Sequence, residues 1–299
     1  MSRIHDAVGT RFRRIITSTE NGIPPWLPAV QAGEPEGLFT PADEPWIVHA
    51  NLTTLIGGIR ALLMQALHPG SLAGVADHSR YEADPLGRLA GTTRWLTILT
   101  FGSHSAIAKE SARVNGMHSR VVGDYTTAQG DVKAYRAQDH DLLLWVHVAF
   151  TDSFLRTFQM YSGRKISADE YVRKWSQAVT PLGLADPPKS ETELESAINV
   201  FYDTGILAAN ETTYKVVDFI KHPPLSRTAR FAYWFLFQAA VASIPQRYQK
   251  MLGLKALPLR IVQPVATRFV ALMRFAIGSR SPLEEAALTR MGLPLTNSH

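Results

Sequence analysis

The sequence predicts an all-α protein, and two observations carry this prediction. Long segments repeat apolar residues with the period of an amphipathic helix, whereas no segment sustains the apolar–polar alternation of a half-buried strand. Ser167 and Ser190 are each followed three positions later by Glu, which is typical of a helix start. Because 45% of the 299 residues are hydrophobic, the chain can bury a substantial core.

Residues 1–44 are predicted to form an extended N-terminal arm laid over the core, because they contain several Pro and Gly and show little periodicity. Residues 45–299 are predicted to form a single helical domain. Its first helix covers the long apolar segment 45–67, and it ends at His68, where Pro and Gly follow in the chain.

The next helix is predicted to begin after Asp84, an N-cap residue that precedes a proline, and to run to about Thr100. Gly102 and the following serine then end that helix and cap a third one, which runs toward His118. A fourth helix is predicted over 132–161, where the helical pattern is among the strongest in the chain.

Further helix starts are predicted after the fourth helix, at Ser167 and Ser190. The Pro-rich stretch 181–190 is interpreted as a loop within one domain. Ser226 begins a helix rich in aromatic residues, and Ser281 begins a short last helix.

The composition excludes several kinds of site. The chain has no cysteine, so disulfides, iron–sulfur clusters and thiolate-bound haem or zinc are excluded. The net charge is +5, but the basic residues are scattered apart from Arg11 to Arg14, and no nucleic-acid partner is predicted. The basic N-terminus lacks the apolar core of a secretory signal, so a cytoplasmic location is expected.

The most apolar stretch, 231–244, is shorter than the roughly 20 residues that a membrane-spanning helix needs. It is therefore predicted to be a buried helix. Its aromatic side chains and the nearby Arg227, Arg230 and Arg247 favour an alternative, in which the helix makes a peripheral contact with a membrane surface. Nothing in the sequence indicates an oligomeric state.

Two histidines are candidate site residues because their helical positions face inward. His118 shares a helix face with Ile107, Ser111 and Val114, and His147 lies on a similar apolar face of the fourth helix. A single inward histidine is more often a core residue bonded to a carbonyl than a ligand. Two of them on neighbouring helices are compatible with either a haem pocket or a polar core.

Arg88 and Thr92 are a second candidate pair, one helical turn apart on one face and followed there by Trp95 and Leu99. An arginine that enters an apolar stripe needs an anionic partner, because a buried unpaired charge is very costly. A carboxylate from a neighbouring helix would serve a structural role. A haem propionate or an oxygen species on a metal would serve a functional one.

Three segments in order give the sequence a family resemblance: residues 62–96 (LLMQALHPGSLAGVADHSRYEADPLGRLAGTTRWL), 112–123 (ARVNGMHSRVVG) and 142–154 (LLLWVHVAFTDSF). Over residues 45–280 the chain resembles the oxygenase family that groups bacterial latex clearing proteins, which are rubber oxygenases, with fungal MpaB-type prenyl-chain-cleaving oxygenases. The resemblance implies a globin-like helical core and an oxidoreductase that uses haem b (iron protoporphyrin IX) and O2 on a hydrophobic, isoprenoid substrate.

The resemblance also implies roles for individual residues. His118 would be the proximal ligand of the haem iron, and Arg88 and Thr92 would be catalytic residues on the oxygen-binding side, with Arg88 also contacting the cofactor. Gly91 stands where the rubber-cleaving members carry a lysine able to cap the iron, which leaves the sixth coordination position open.

For three further residues, a role at the site stands beside an alternative role. His68 would be a catalytic acid/base group or a helix cap. His147 would pack near the haem or hydrogen-bond to the ligand helix. Arg120 would pair with a haem propionate or be an ordinary surface arginine.

An apolar channel for the substrate would be lined by residues such as Trp95, Leu99, Phe150 and Phe154. Two alternatives to an oxygenase are kept at this point. The first is a non-catalytic haem protein for O2 sensing, haem storage or electron transfer on the same core. The second is a helical interaction or lipid-binding module that has lost haem.

Overall fold

The computed structural model describes residues 22–78, 85–278 and 280–295, and within them the chain is 65% helical. This confirms the predicted all-α class. The described residues form 14 α-helices and a two-stranded antiparallel sheet. The elements in order are α1 (Leu27–Gln31), α2 (Glu44–His49), α3 (Thr53–Gln65), α4 (Pro69–His78), α5 (Pro85–Phe101), α6 (His104–His118), β1 (Val122–Thr126), β2 (Val132–Arg136), α7 (His140–Tyr161), α8 (Ala168–Trp175), α9 (Glu191–Asp203), α10 (Glu211–Lys221), α11 (Arg227–Ser243), α12 (Gln246–Met251), α13 (Leu259–Ile277) and α14 (Pro282–Arg290).

The chain divides into two compact units, each made of separate stretches of sequence. Of the described residues, the first unit contains 22–50, 85–114, 271–278 and 280–295, and the second contains 51–78 and 115–270. The stretch 181–190, predicted to be a loop within a domain, lies inside the second unit. The proposed division into an arm and one domain stays a prediction.

Helix α5 is the centre of the first unit, and α1, α2 and α14 pack against it. The rings of Trp46 on α2 and Phe101 on α5 meet edge to face, with their centroids 4.8 Å apart. The Arg290 Nη1 group on α14 donates a hydrogen bond to the Phe101 carbonyl at 2.8 Å. These contacts hold the C-terminal end of α5 in place.

Residues 32–37 lie over the junction between α5 and α6. The hydroxyl of Ser103 donates to the Ala32 carbonyl at 3.0 Å, and the carboxylate of Glu34 accepts from the Ser105 backbone N–H at 2.6 Å. Gly33 has a φ of +97°, and a side chain there would meet Ser103 at 2.2 Å. The segment thus supplies hydrogen-bond acceptors to the first turn of α6, which has unsatisfied N–H groups.

The second unit is built on the pairing of α3 with α7, and α11 packs on both of these helices. Gly57 on α3 permits the close approach, since an added Cβ would lie 2.6 Å from the Phe154 ring of α7. The Tyr161 hydroxyl on α7 donates to the Ala239 carbonyl of α11 at 2.8 Å. Most of α7 is therefore buried, including Trp145.

The strands β1 and β2 contradict the expectation that the chain has no strand. They pair antiparallel, with Val122 opposite Arg136 and Thr126 opposite Val132. The ring of Tyr135 covers Gly123 and is almost fully buried. Packing of an aromatic side chain on the opposite glycine stabilises this short hairpin, and such a contact is not visible as sequence periodicity.

Two predicted helices have different bounds in the structure. The fourth helix begins at His140 rather than at 132, because residues 132–136 form β2. The first predicted helix is split into α2 and α3, where the side chain of Asn51 accepts a hydrogen bond from the Thr53 backbone N–H at 3.0 Å. Asn competes in this way with helical hydrogen bonds, and it starts a new helix here.

Other predicted helix starts are confirmed by hydrogen bonds. The side chains of four serines each accept from the backbone N–H three residues later, as N-caps of α8, α9, α11 and α14; they are Ser167, Ser190, Ser226 and Ser281. The predicted extents of α5 and α6 are confirmed to within a residue or two.

Helix α11 is only partly buried, contrary to the prediction. Its C-terminal half, with Leu236 and Phe237, lies in the core, but Phe231 and Trp234 in its N-terminal half are exposed. No helix in the described part of the chain is long and apolar enough to cross a membrane.

Candidate functional site

His118 is the last residue of α6, and the inward direction predicted for its helix face is confirmed. Ile107, Ser111 and Val114 on that face are all buried. The imidazole of His118 is half-buried, and its Nδ1 atom is shielded from solvent. The helix ends there, since the Val121 N–H donates to the His118 carbonyl at 3.0 Å and β1 follows.

His147 lies in the middle of α7 on a buried, largely apolar face with Leu143, Phe150 and Phe154, as predicted. Its side chain is 6% exposed, and burial lowers its pKa to about 3, so the imidazole is neutral near pH 7. The Nε2 atom is buried and makes no hydrogen bond to any of the described residues. A buried polar atom left in this state costs about 1–3 kcal/mol unless a ligand occupies it.

His68 has a structural task at the junction of α3 and α4. Its Nδ1 accepts hydrogen bonds from the backbone N–H groups of Gly70 at 3.1 Å and Ser71 at 3.4 Å, so it caps the N-terminus of α4. The ring is packed among Tyr125, Trp145 and Phe201, and burial lowers its pKa to about 4. The helix-cap alternative thus has direct support, while the acid/base role stays a prediction.

The pair Arg88 and Thr92 lies on α5, one turn apart, as the sequence predicts. The side chain of Arg88 lies outside the described residues, and that of Thr92 is half-buried. At Gly91 an added Cβ would meet no atom of the described residues within 4 Å. The position at which the resemblance implies a lysine in the rubber-cleaving members therefore has space for a Cβ.

Arg120 follows the end of α6, and its side chain is exposed. The described residues contain no group of three or more His, Asp or Glu side chains placed to hold a metal ion. His68, His118 and His147 belong to the second unit, and Arg88 and Thr92 belong to the first.

Sequence reasoning missed a buried carboxylate in the first unit. Glu110 on α6 is 1% exposed, and it binds Arg94 of α5 at 2.8 Å and Arg113 at 2.6 Å. Burial acts to raise the pKa of Glu110, but the two arginines outweigh it and hold the pKa below its usual value. In the sequence, Glu110 could have been identified as a lone acidic residue on the apolar face of α6, between Ile107 and Val114.

A buried histidine in the first unit was also missed. His49, the last residue of α2, is hydrogen-bonded through Nδ1 to the Thr100 hydroxyl of α5 at 2.9 Å. Burial lowers its pKa to about 3, so it is neutral near pH 7. Its partner is already a residue of the protein, which gives it a structural role, unlike His147.

We compared the chain with known proteins, solved structures and protein families. No curated protein and no solved structure matches the chain. The family model described as "ER-bound oxygenase mpaB/B'/Rubber oxygenase, catalytic domain" matches residues 46–276, which is more than half of the sequence and includes all the candidate site residues. The chain therefore belongs to the family of mpaB and rubber oxygenase catalytic domains.

Proposed function

We propose that the protein is a haem b-dependent oxygenase that acts with O2 on a hydrophobic, isoprenoid-type substrate, with His118 as the protein ligand of the iron. The observation that carries the proposal is the family match, because it covers α6 and α7 and defines an oxygenase catalytic domain. It supports oxygen chemistry directly, and the cofactor and the substrate class are inferred from the resemblance of the three sequence segments.

The residues present fit a haem. A b-type haem needs no covalent attachment to cysteine, and a histidine imidazole is a common ligand of its iron, so a chain without cysteine is able to hold it. The buried Nε2 of His147 belongs to a neutral imidazole and has no hydrogen-bond partner in the part of the chain that the structure describes, which supports a bound group near α7 that would hydrogen-bond to it.

Haem, when bound, supplies the activation of O2. His118 would hold the cofactor from the end of α6, which fixes the direction of its imidazole. By the resemblance, Arg88 and Thr92 on one face of α5 would supply hydrogen-bond donors, a kind of group that stabilises developing negative charge. Phe150 and Phe154 beside His147 would keep water out and favour an apolar substrate.

The ligand assignment is tested by absorption spectra of protein expressed with a haem precursor. The wild type should show a Soret band. His118→Ala should remain helical by circular dichroism and lose most of the band, and added imidazole should partly restore it. His147→Ala is the matched variant and should keep the band. Loss of the band in His147→Ala with an unchanged spectrum in His118→Ala would place the ligand on α7, and a wild type without any Soret band would refute the proposal.

Two substitutions on α5 test the proposal that Arg88 donates a hydrogen bond in the reaction. Arg88→Ala should keep the haem spectrum and lower substrate-dependent O2 consumption by about 10²-fold, the usual effect of removing one such donor. Arg94→Ala is the control, because Arg94 is bound to Glu110; it should lower stability and leave turnover per haem nearly unchanged. Full activity in Arg88→Ala would contradict the assignment.

A further inference from the structure

The segment between Phe219 and Leu283 has an unusual charge distribution. It contains ten Lys and Arg residues and no Asp or Glu. The net charge of this segment is therefore strongly positive, because acidic residues are absent from α11, α12 and α13. Such a segment has a positive potential that attracts anionic partners.

Within the second unit, this segment also exposes large apolar side chains. On α11, Phe231 is 68% exposed and Trp234 is 47% exposed. On α13, Ile261 and Val265 are exposed and lie one helical turn apart, so they share a face. Exposed apolar side chains that cluster in this way are typical of an interaction surface.

The ring of Phe235 links these two sets of side chains. Its centroid lies 5.1 Å from that of Phe231 and 5.0 Å from that of Trp234 on α11. The same ring stacks on Phe269 of α13, at 5.4 Å. The exposed side chains of α11 and α13 thus lie on neighbouring helices that are joined by aromatic contacts.

The arginines of these helices are not neutralised. Arg227, Arg260 and Arg268 are exposed, and none of them forms an ion pair with a carboxylate within the described ranges. By contrast, the exposed Arg173 binds the carboxylate of Glu170 at 2.5 Å. Three positive charges therefore remain available beside the exposed apolar side chains.

We propose that this basic–aromatic surface, formed by Phe231, Trp234, Ile261 and Val265 with Arg227, Arg260 and Arg268, docks on an anionic lipid bilayer. Apolar side chains gain free energy on entering the boundary between headgroups and acyl chains, and arginines bind the lipid phosphates. Trp and Phe suit this boundary because their rings are large and apolar.

Charge complementarity favours a bilayer over two other occupants. A second copy of the chain would bring arginines against arginines across a two-fold interface, and like charges in contact are unfavourable. A nucleic acid would pair with the arginines and stack its bases on Phe231 and Trp234, but it would leave the aliphatic side chains of Ile261 and Val265 without an apolar partner, whereas a bilayer takes up all four apolar side chains. The docking surface does not depend on haem, and it can be tested without any enzyme assay.

The test is sedimentation of the full-length protein with vesicles of phosphatidylcholine, with and without phosphatidylglycerol. The wild type should bind the anionic vesicles, and added salt should weaken that binding because the charges are exposed. Arg260→Glu/Arg268→Glu should bind these vesicles at least about tenfold more weakly, since each charge near the surface contributes to the attraction. Phe231→Ser/Trp234→Ser should also bind more weakly, including at high salt.

Two control variants are matched in chemistry and lie outside the proposed surface. Arg164→Glu/Lys165→Glu reverses two exposed charges after α7, and Val132→Ser/Val200→Ser removes exposed apolar side chains from β2 and α9. Both should bind vesicles as the wild type does. Circular dichroism of every variant verifies that the helices are retained.

Three results would overturn the proposal. The first is a wild type that does not bind anionic vesicles. The second is a loss of binding in the controls equal to that in the surface variants. The third is a different occupant, shown by dimers in analytical ultracentrifugation that Phe231→Ser/Trp234→Ser dissociates, or by duplex DNA that is bound through the same arginines while vesicles are not.

Discussion

Among single residues, the buried pair of Arg60 and Asp152 has the clearest electrostatic role in the second unit. Arg60 on α3 is 1% exposed, and it bonds to Asp152 on α7 at 2.6 Å and to the Ser153 hydroxyl at 2.7 Å. Asp152 also accepts from Arg156, which binds Glu191 and Glu195 of α9. The pair therefore connects three helices through charged side chains.

Removal of Asp152 leaves the buried guanidinium of Arg60 without its carboxylate partner. Asp152→Leu should lower the free energy of unfolding by about 3–5 kcal/mol, measured by urea denaturation. Arg60→Met/Asp152→Leu should recover a large part of that loss, because no buried charge remains. As a control, Glu170→Ala breaks an exposed pair with Arg173 and should cost less than about 1 kcal/mol. A cost below 1 kcal/mol for Asp152→Leu would contradict the buried-charge argument.

At the level of elements, the contact between α3 and α7 depends on which of two adjacent glycines faces α7. An added Cβ at Gly57 would lie 2.6 Å from the Phe154 ring and 2.9 Å from the Thr157 hydroxyl oxygen. At Gly58 an added Cβ would meet no atom within 4 Å. Both residues are inside a helix, where Ala is the better helix former.

The two glycines should therefore respond in opposite directions. Gly57→Ala should destabilise the protein by about 1–3 kcal/mol, because the extra methyl group separates the helices. Gly58→Ala should stabilise it by about 0.5–1 kcal/mol through backbone entropy alone. The urea concentration at half-unfolding measures both effects. Equal shifts of the same sign would show that α3 does not approach α7 in the way described.

For the whole molecule, buried neutral histidines make stability depend on pH. The folded-state pKa is about 3 for His49 and about 4 for His68, whereas an unfolded histidine has a pKa of about 6.5. Below pH 6.5 the unfolded state binds protons that the folded state does not, so stability is complete above pH 6.5 and falls as the pH is lowered. Each histidine should contribute about 1.4 kcal/mol per pH unit to this fall until its folded pKa is reached.

Substitution of one histidine measures its contribution to the change of unfolding free energy with pH. His49→Gln should lower the slope of unfolding free energy between pH 6 and pH 4 by about 1.4 kcal/mol per pH unit, whatever its effect at pH 7. Gln129→Ala replaces an exposed side chain that has no titratable group and is the control, so its slope should equal that of the wild type. An unchanged slope in His49→Gln would mean that the imidazole of His49 is protonated in the folded state.

The sequence by itself determined the features that depend on one or two helical turns. The serine caps start their helices as predicted, and the inward faces of His118 and His147 follow from the helical period alone. The ordered segments that carry the family resemblance are also a property of the sequence, and the family match bears them out.

Only the tertiary structure decided which residues meet across long distances in the chain. The hairpin depends on Tyr135, which packs on Gly123 and donates to Asp77 at 3.3 Å, so the segment 132–136 leaves the helix that its local pattern favours. The buried partner of Arg94 is Glu110 of the next helix, a pairing that no period within α5 encodes. The physical reason is that helical periodicity reports which face is buried, whereas the contacts on that face depend on the neighbour that covers it.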